Sequence, residues 1–260
     1  MKTDTLGTLF KDDYAIGNVH IRQKLWANRE QKIYHYLQVN YLYDLLESNT
    51  LYVNNRALFS DVREQGKLEN LKYLFDIFLP CSHNKQEKKE NMESCKELSK
   101  IKEFAHKSCI SCWTMGTNYS NCDEDILEWD HYGTGKAQYG MTCRIETTVE
   151  NLINSIKSHK DAMWLSEVLY DEEKMRSNPE QWIFWKHYAY RQEHEVRLCI
   201  DTTKDHICLD IVPETLIKSI RLSPYINKYD QQRIITKLEK YSFLKGKIHL
   251  SHILEKHNQF

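Results

Sequence analysis

The sequence predicts an α+β domain built on a mostly antiparallel or mixed sheet with flanking helices. Segments typical of strands and helices follow one another without the regular alternation of a parallel sheet. The 260 residues include only 8 Gly and 4 Pro, and neither GxGxxG nor GxxxxGK[ST] occurs, which argues against Rossmann and P-loop nucleotide binding. Residues 1–31 are polar and weakly patterned, so we expect an N-terminal arm there. There is no internal repeat and no long linker, so we expect one domain over residues 32–260.

Apolar periodicity places the elements in order. Strands are predicted at residues 32–37, 50–53, 108–114, 138–146, 165–170, 196–200, 207–211, 219–222 and 247–253. Helices are predicted at residues 40–48, 66–79, 123–132, 148–158, 179–190 and 230–243. The helix at 123 begins with acidic residues, which the helix dipole favours, and Pro179 suits the first turn of its helix. Residues 82–93 are charged and poor in apolar residues, which predicts a surface loop or the start of a helix reaching about residue 107.

The overall charge and cysteine usage narrow the function class. The net charge is −1, from 36 basic and 37 acidic residues, so no global field attracts the chain to nucleic acid or to a membrane. The N-terminus lacks an apolar signal core and no apolar run approaches 18 residues, so we expect a soluble, cytoplasmic protein with no membrane partner. Eight cysteines are too few for a disulfide scaffold, and we expect them to be reduced.

Two carboxylates stand two residues apart where residues 184–200 run into a predicted strand. Side chains alternate along a strand, so Glu193 and Glu195 are expected to point the same way. Like charges at that spacing need a compensating partner, such as Arg197, or one raised pKa. Such a pair suits chemistry that builds positive charge on a sugar carbon, where one carboxylate holds a ribose hydroxyl and the other orients the acceptor. On spacing alone, a solvated strand edge with Arg197 as an ion-pair partner is the more common explanation.

Two aromatic groups carry further candidates. His35 lies between Tyr34 and Tyr36, so the two tyrosines are expected on one strand face and His35 on the other. His35 is then either a core or rim histidine or a hydrogen-bond partner for a ribose hydroxyl. Trp129 and Tyr132 are three residues apart and share a helix face, which fits either core packing or a flat wall against a nicotinamide ring.

Cys109 and Cys112 form a single CxxC pair near Cys122. A structural zinc site usually needs a second ligand pair, and none occurs here. Cysteines three apart on a strand also face opposite sides. We therefore expect buried strand cysteines and no metal.

Taken together, these segments resemble a bacterial and phage domain family of unknown function. Its pattern is an aliphatic–Tyr–basic–Tyr strand, a Phe-Asn-Asp-Pro-Phe-Glu box, a Cys-Phe-Ser strand, a Met-Trp-x-x-Tyr helix with a following Gly strand, and a closing Lys…Trp-x-x-Glu-x-Glu-x-Arg segment. The corresponding positions are residues 33–36, 59–64, 112–114 and 127–132, then Gly140, Lys186, Tyr190, Glu193, Glu195 and Arg197. The resemblance spans residues 32–200.

Four departures from this pattern bear on the roles of its segments. Ser60 and Val62 replace the Asn and Pro of the box, which puts the role of that loop in question. Trp113 stands where the family has Phe, and Tyr190 where it has Trp. The aromatic exchanges are mild.

That family is in turn similar to ADP-ribosyltransferases, which place a His or Arg on the first strand, an aromatic residue or Ser mid-chain and a Glu on a late strand. The resemblance implies a split, mostly antiparallel sheet of ADP-ribosyltransferase type around a cleft for NAD, the co-substrate. It implies catalytic roles for Glu195 and Glu193. The cofactor-binding residues that it implies are His35, Tyr36, Tyr132, Trp129, Arg197 and Lys186.

The resemblance also implies a biological role. Relatives of this fold often serve as bacterial toxins or antiphage effectors, so we expect mono-ADP-ribosyl transfer to RNA, DNA or a protein, and a neutralising antitoxin as a further partner. The Tyr- and Lys-rich residues 225–241 slightly favour nucleic acid as the acceptor. The alternatives are NAD glycohydrolysis in the same pocket and a catalytically inactive binding module of the same fold.

Overall fold

The computed structural model describes residues 13–55, 108–116, 124–133, 141–171 and 183–253. The helix predicted at residues 66–79, the charged stretch at 82–93 and the box at 59–64 lie outside these residues.

The described residues form eleven strands and six α-helices. The strands are β1 Asp13–Ile16, β2 Val19–Arg22, β3 Lys32–Gln38, β4 Thr50–Asn55, β5 Ser108–Met115, β6 Thr142–Thr148, β7 Met163–Glu167, β8 Glu195–Asp201, β9 His206–Asp210, β10 Ser219–Leu222 and β11 Ile248–Leu250. The α-helices are α1 Gln23–Ala27, α2 Val39–Ser48, α3 Ile126–Gly133, α4 Val149–Ser155, α5 Pro213–Leu216 and α6 Lys228–Leu238. Short 3₁₀ helices span Tyr188–Glu193 and Ser242–Leu244.

The strands make one open sheet. Its order is β1-β2-β7-β8-β5-β3-β6-β10-β11, with β4 joined to β5 and β9 joined to β4. The pairs β2–β7 and β10–β11 are parallel, and the other described pairs are antiparallel. The predicted α+β class with a mostly antiparallel sheet is therefore confirmed. Among the described residues, no helix is both long enough and apolar enough to span a membrane.

Residues 13–31 form two strands of the sheet and helix α1, so this part of the predicted N-terminal arm over residues 1–31 belongs to the folded domain. Residues 1–12 lie outside the described residues. Strands β1 and β2 form a hairpin, with Gly17 at a φ of 60° in the turn, where glycine is free of the Cβ clash. Val19 on β2 pairs with Met163 on β7 in parallel. Val19, Ile21 and Leu25 are buried in the core, so apolar burial holds this segment in place.

The sheet divides along one edge of β5, where strands β3 and β4 both pair with β5 and then diverge from each other. The other edge of β5 pairs continuously with β8 over residues 108–114. On the divided edge, β5 meets β3 at two pairs, Ile33 with Met115 and Tyr34 with Thr114, and it meets β4 only near its start. His35 lies at this division, and its Nδ1 donates to the carbonyl of Cys112 at 2.8 Å. The imidazole therefore satisfies a backbone acceptor beside the point where the strands diverge.

One face of the sheet is apolar and packed under helices. On β8, every second side chain, namely Val196, Leu198 and Ile200, is fully buried on this core face. Helices α2 and α4 bury Leu42 and Leu152 in the same cluster, and α6 contributes to it as well. Burial of these apolar stripes is the main force that docks the helices on the sheet.

The opposite face, which we call the polar face, carries charged, hydroxyl and thiol side chains. They are Tyr34 and Tyr36 on β3, Cys112 and Thr114 on β5, Arg144 on β6, and Glu195 and Arg197 on β8. Residues directly opposite in a ladder share a face, so one row crosses three strands from Tyr34 through Thr114 to Glu195. Helix α3 and the segment 183–193 cover this face through two small apolar clusters.

Candidate functional site

The chain enters β8 through a tight, left-handed turn. Residues Tyr188–Glu193 form a 3₁₀ helix, and His194 follows at a φ of 43°, which is uncommon for a residue other than Gly. The amide of Met115 donates to the carbonyl of His194 at 2.9 Å and fixes the turn to β5. Glu193 therefore precedes the strand, and strand alternation is not what brings its carboxylate toward Glu195.

Glu195 and Arg197 form a buried, bidentate ion pair. Arg197 donates from Nε to Glu195 Oε1 at 2.7 Å and from a terminal nitrogen to Oε2 at 3.0 Å. The side chain of Glu195 is 5% exposed and that of Arg197 is fully buried. Arg197 also donates to the carbonyl of Ile183 at 3.0 Å. Such paired hydrogen bonds fix the direction of the carboxylate as well as its charge.

Lys186 joins the two glutamates. Its ammonium lies 2.6 Å from Glu193 Oε2 and 3.5 Å from Glu195 Oε2. It also lies 4.8 Å from the centre of the Tyr190 ring, where a cation–π contact forms. The side chain of Glu193 is 32% exposed, whereas those of Lys186 and Glu195 are 12% and 5% exposed. Of the two glutamates, Glu193 is therefore the one that solvent reaches.

The surroundings keep Glu195 ionised. Burial alone would raise the pKa of this carboxyl, but three groups together outweigh burial. These are Arg197, through its charge and hydrogen bonds, the charge of Lys186 and a hydrogen bond from Cys112. Together they lower the pKa of Glu195 to about 2. The site therefore holds a fixed negative charge across the physiological pH range.

We expect this ion pair to contribute to acid unfolding. A carboxyl with a lowered folded-state pKa binds fewer protons in the folded than in the unfolded state, so stability rises with pH between the two values. The contribution of Glu195 should be complete above its ordinary pKa of 4.5 and be lost as the pH falls toward 2. The free energy of unfolding, measured with urea at pH values from 2 to 6, should rise less steeply with pH for Glu195→Gln than for the wild type. Equal slopes would contradict the assignment.

Helix α3 adds a third carboxyl, Glu128, that the sequence analysis missed. Glu128 is buried where α3 covers the polar face, and the charges of Glu193 and Glu195 both act on it. Burial, followed by the charges of Glu193 and Asp125, raises its pKa to about 8, although Lys186 acts in the opposite direction. Glu128 is therefore mostly protonated at neutral pH. The only sequence signal was its position next to Trp129.

An aromatic cluster anchors α3 to the sheet. The rings of Trp129 and Tyr36 meet edge to face with centroids 4.9 Å apart. Trp129 Nε1 donates to Glu124 at 3.1 Å. Arg144 lies 4.0 Å above the Tyr34 ring and hydrogen-bonds the Tyr36 hydroxyl. The cluster thus ties α3 to strands β3 and β6.

This packing favours core packing, the first of the two explanations for Trp129, over a flat wall for a nicotinamide ring. Trp129 is fully buried and Tyr36 is nearly so. Both rings pack against protein, in a cluster that also contains Tyr34 and Ile253. The side chain of Tyr132, the other predicted wall residue, lies outside what the structure describes.

The structure does not bring His35 to the polar face. Tyr34 and Tyr36 share that face and His35 takes the other, as strand alternation predicted. The half-buried imidazole lies 4.8 Å from the Trp113 ring. Burial lowers the pKa of His35 below 6.5, against the effect of its bond to Cys112, so the ring is neutral at pH 7.

We expect His35→Ala to lower stability and to leave ligand binding at the polar face unchanged. The substitution removes ring contacts with Trp113 and leaves the carbonyl of Cys112 without its imidazole donor. An unmade buried hydrogen bond typically costs about 1–3 kcal/mol. Thermal unfolding and NAD+ titration of the same sample measure both quantities. Unchanged stability with weaker NAD+ binding would restore the predicted ligand role.

The cysteine pair is divided between the two faces. Cys109 is buried on the core face, whereas Cys112 bonds to Glu195 on the polar face. Within the described ranges, no group of three or more His, Cys, Asp or Glu side chains is placed to hold a metal ion. The described cysteines, Cys109, Cys112, Cys143, Cys199 and Cys208, are free thiols.

Comparisons with known proteins assign this site to no family. No protein-family model matches the chain, and no curated protein matches it. What the site does must therefore be inferred from its residues and their arrangement.

Proposed function

We propose that this chain is a mono-ADP-ribosyltransferase that uses NAD+ as its donor substrate. The observation that carries the proposal is the fixed, ionised carboxylate of Glu195, set in the polar face among Glu193, Lys186 and Glu128. A low-dielectric site that holds one negative charge in place, with a second carboxylate at its solvent edge, suits a reaction that builds positive charge on a ribose carbon.

The chemistry follows from the charge of Glu195. Transfer breaks the bond between ribose C1′ and the nicotinamide nitrogen, and positive charge develops at C1′ as neutral nicotinamide leaves. The carboxylate of Glu195 accepts a hydrogen bond from the 2′-hydroxyl and stabilises that charge. Because Arg197 and Lys186 lower its pKa to about 2, Glu195 needs no change of protonation to act.

The partners of Glu195 have separate roles. Arg197 is fully buried and bonded to Glu195 and Ile183, so it orients the carboxylate, and we do not assign it to the pyrophosphate. Glu193 is the more exposed carboxylate and is held by Lys186. We assign this pair to the orientation of the acceptor.

The acceptor and the biological role belong to the same proposal. We expect a macromolecular acceptor, with nucleic acid ahead of protein, in a toxin or antiphage effector that a partner protein neutralises. These assignments rest on the resemblance of the sequence motifs.

Incubation of the purified chain with NAD+ labelled in its adenylate half, with and without bacterial lysate, tests the proposal. Label that nuclease releases indicates a nucleic-acid acceptor, and label that protease releases indicates a protein. Free ADP-ribose without lysate would indicate NAD glycohydrolysis instead. Glu195→Gln is measured in the same assay, with Glu214→Gln on α5 as its matched control. Glu214 is exposed, and α5 belongs to the core face. No NAD+ consumption in any arm would overturn the proposal and favour a binding module.

A further inference from the structure

Helix α3 is turned so that it buries an acid and exposes a leucine. Glu128 is 7% exposed, whereas its neighbour Leu127 is 59% exposed. Apolar burial favours the opposite orientation, and burying a carboxyl has its own cost. The aromatic contact of Trp129 with Tyr36 holds the helix in this orientation. Local rules that fail in this way concentrate at functional sites.

The charges that act on Glu128 come from four parts of the chain. Asp125 precedes it on its own segment, Glu193 lies on the 3₁₀ helix, Glu195 on β8, and Lys186 on the segment between β7 and β8. The charge of Glu128 in turn acts on Tyr36 of β3, whose hydroxyl is bonded to Arg144 of β6.

The ion pairs of this cluster are balanced without Glu128. Lys186 and Arg197 contribute two positive charges, and Glu193 and Glu195 contribute two negative ones. Arg144 and Asp125 add one charge of each sign, so the balance is unchanged. A third ionised carboxylate would add an uncompensated buried charge. The third carboxyl therefore carries a proton near neutral pH and loses it on mild alkalinisation, in agreement with its pKa of about 8.

Among the three glutamates, Glu128 is the one suited to accept a proton. Protonation of Glu193 would break its 2.6 Å contact with Lys186. Protonation of Glu195 would remove the charge that the proposed reaction needs, together with its pairing to Arg197. A general base works best when its pKa lies close to the working pH.

We infer that Glu128 is the general base for the acceptor, and this inference rests on the proposed function. As the acceptor oxygen or nitrogen forms its bond to ribose C1′, the bond from C1′ to nicotinamide breaks and its electron pair leaves with the ring. The proton of the acceptor passes to the carboxylate of Glu128. Release of that proton to solvent resets the site, so each turnover yields modified acceptor, nicotinamide and one proton.

The pH dependence of single-turnover transfer tests this role. The wild-type rate should rise between pH 6 and 9 with a midpoint near 8. Glu128→Gln should flatten the rise and lower the rate at high pH by about 10²-fold, the lower range for general base catalysis. Glu128→Asp, which keeps a carboxyl, should retain part of the rise. Glu47→Gln is the matched control, because Glu47 is an exposed helical glutamate on α2, a helix of the core face.

Unfolding measurements give a second readout that needs no activity. Between pH 4.5 and about 8, the folded state keeps the Glu128 proton and the unfolded state loses it, so stability falls as pH rises. The folding equilibrium constant should fall by up to about tenfold per pH unit in this window from this group alone. Glu128→Gln and Glu128→Met, which cannot ionise, should remove this component.

The outcomes separate this inference from the proposed function. If the wild type transfers ADP-ribose and Glu128→Gln keeps the full rise with pH, Glu128 is not the base, although the proposed function stands. If Glu128→Gln fails to fold, Glu128→Met and Glu128→Asp supply the same comparison. If neither the wild type nor any variant consumes NAD+, the proposed function and the role of Glu128 as general base both fail. This holds even when the unfolding measurements show that Glu128 titrates.

Discussion

Glu195→Gln is expected to reduce NAD+ turnover by about 10²–10³-fold, the usual cost of removing a group that stabilises charge in the transition state. Gln keeps the shape of the side chain and loses the negative charge that the neighbouring cations maintain. Turnover is measured as nicotinamide released from NAD+ by the purified variant. Turnover at the wild-type rate would remove Glu195 from the mechanism.

The buried partner of Glu195 complicates this test, and a double variant resolves it. Arg197 is fully buried, and removing one member of a buried ion pair typically costs about 3–5 kcal/mol. Glu195→Gln is thus expected to be less stable than the wild type. Glu195→Gln combined with Arg197→Met removes both charges, and such replacements are often neutral for stability. The double variant should regain thermal stability and remain inactive. Recovery of activity together with stability would show that the pair is only structural.

Strand period was the most reliable signal in this sequence. The prediction that Tyr34 and Tyr36 face away from His35 is confirmed, because adjacent side chains in a strand must point to opposite faces. The strand predicted at residues 108–114 lies within Ser108–Met115, and Ser219–Leu222 was predicted without error. These strands carry continuous or alternating apolar residues, so local pattern and tertiary burial agree.

In the regions where the sequence predictions were wrong, long-range backbone pairing determines the secondary structure. β2 has only four residues, and it becomes a strand by pairing with β7, well over a hundred residues later. The helix predicted at 179–190 is interrupted because Leu169 bonds to both Phe184 and Lys186. Residues 185–187 are therefore held beside Leu169 and are not helical. Helix propensity is a weak preference that tertiary contacts override.

The candidate site was partly predictable for the same reasons. The grouping of Glu193, Glu195 and Lys186 follows from their closeness in sequence and is found in the structure. The burial of Glu128 could not be predicted, because hydropathy places Leu127 inside and Glu128 outside. Arg144 was missed because a single arginine in a strand usually marks the solvent side, whereas here it is buried against Tyr34.

Trp129→Ala is expected to release α3 from the sheet. Removing a fully buried tryptophan typically costs about 3–5 kcal/mol, which corresponds to a fall in melting temperature of about 6–20 °C for a domain of this size. The substitution also removes the edge contact with Tyr36 and the hydrogen bond to Glu124. The contacts of α3 that remain in this cluster are the packing of Ile126 and the hydrogen bond from the Tyr225 hydroxyl to Asp130, so we expect the helix to be held less firmly across β3.

Release of α3 should expose Glu128 and return its pKa toward the ordinary range. Hydrogen exchange at α3 should accelerate, and the loss of stability between pH 4.5 and 8 that we assign to Glu128 should shrink. Trp129→Phe should have smaller effects, because a ring remains against Tyr36 while the bond to Glu124 is lost. Trp26→Ala is the matched control: Trp26 is only partly buried and stacks on Tyr14, away from α3. If Trp129→Ala leaves exchange at α3 and the pH dependence of stability unchanged, Trp129 is not what positions Glu128.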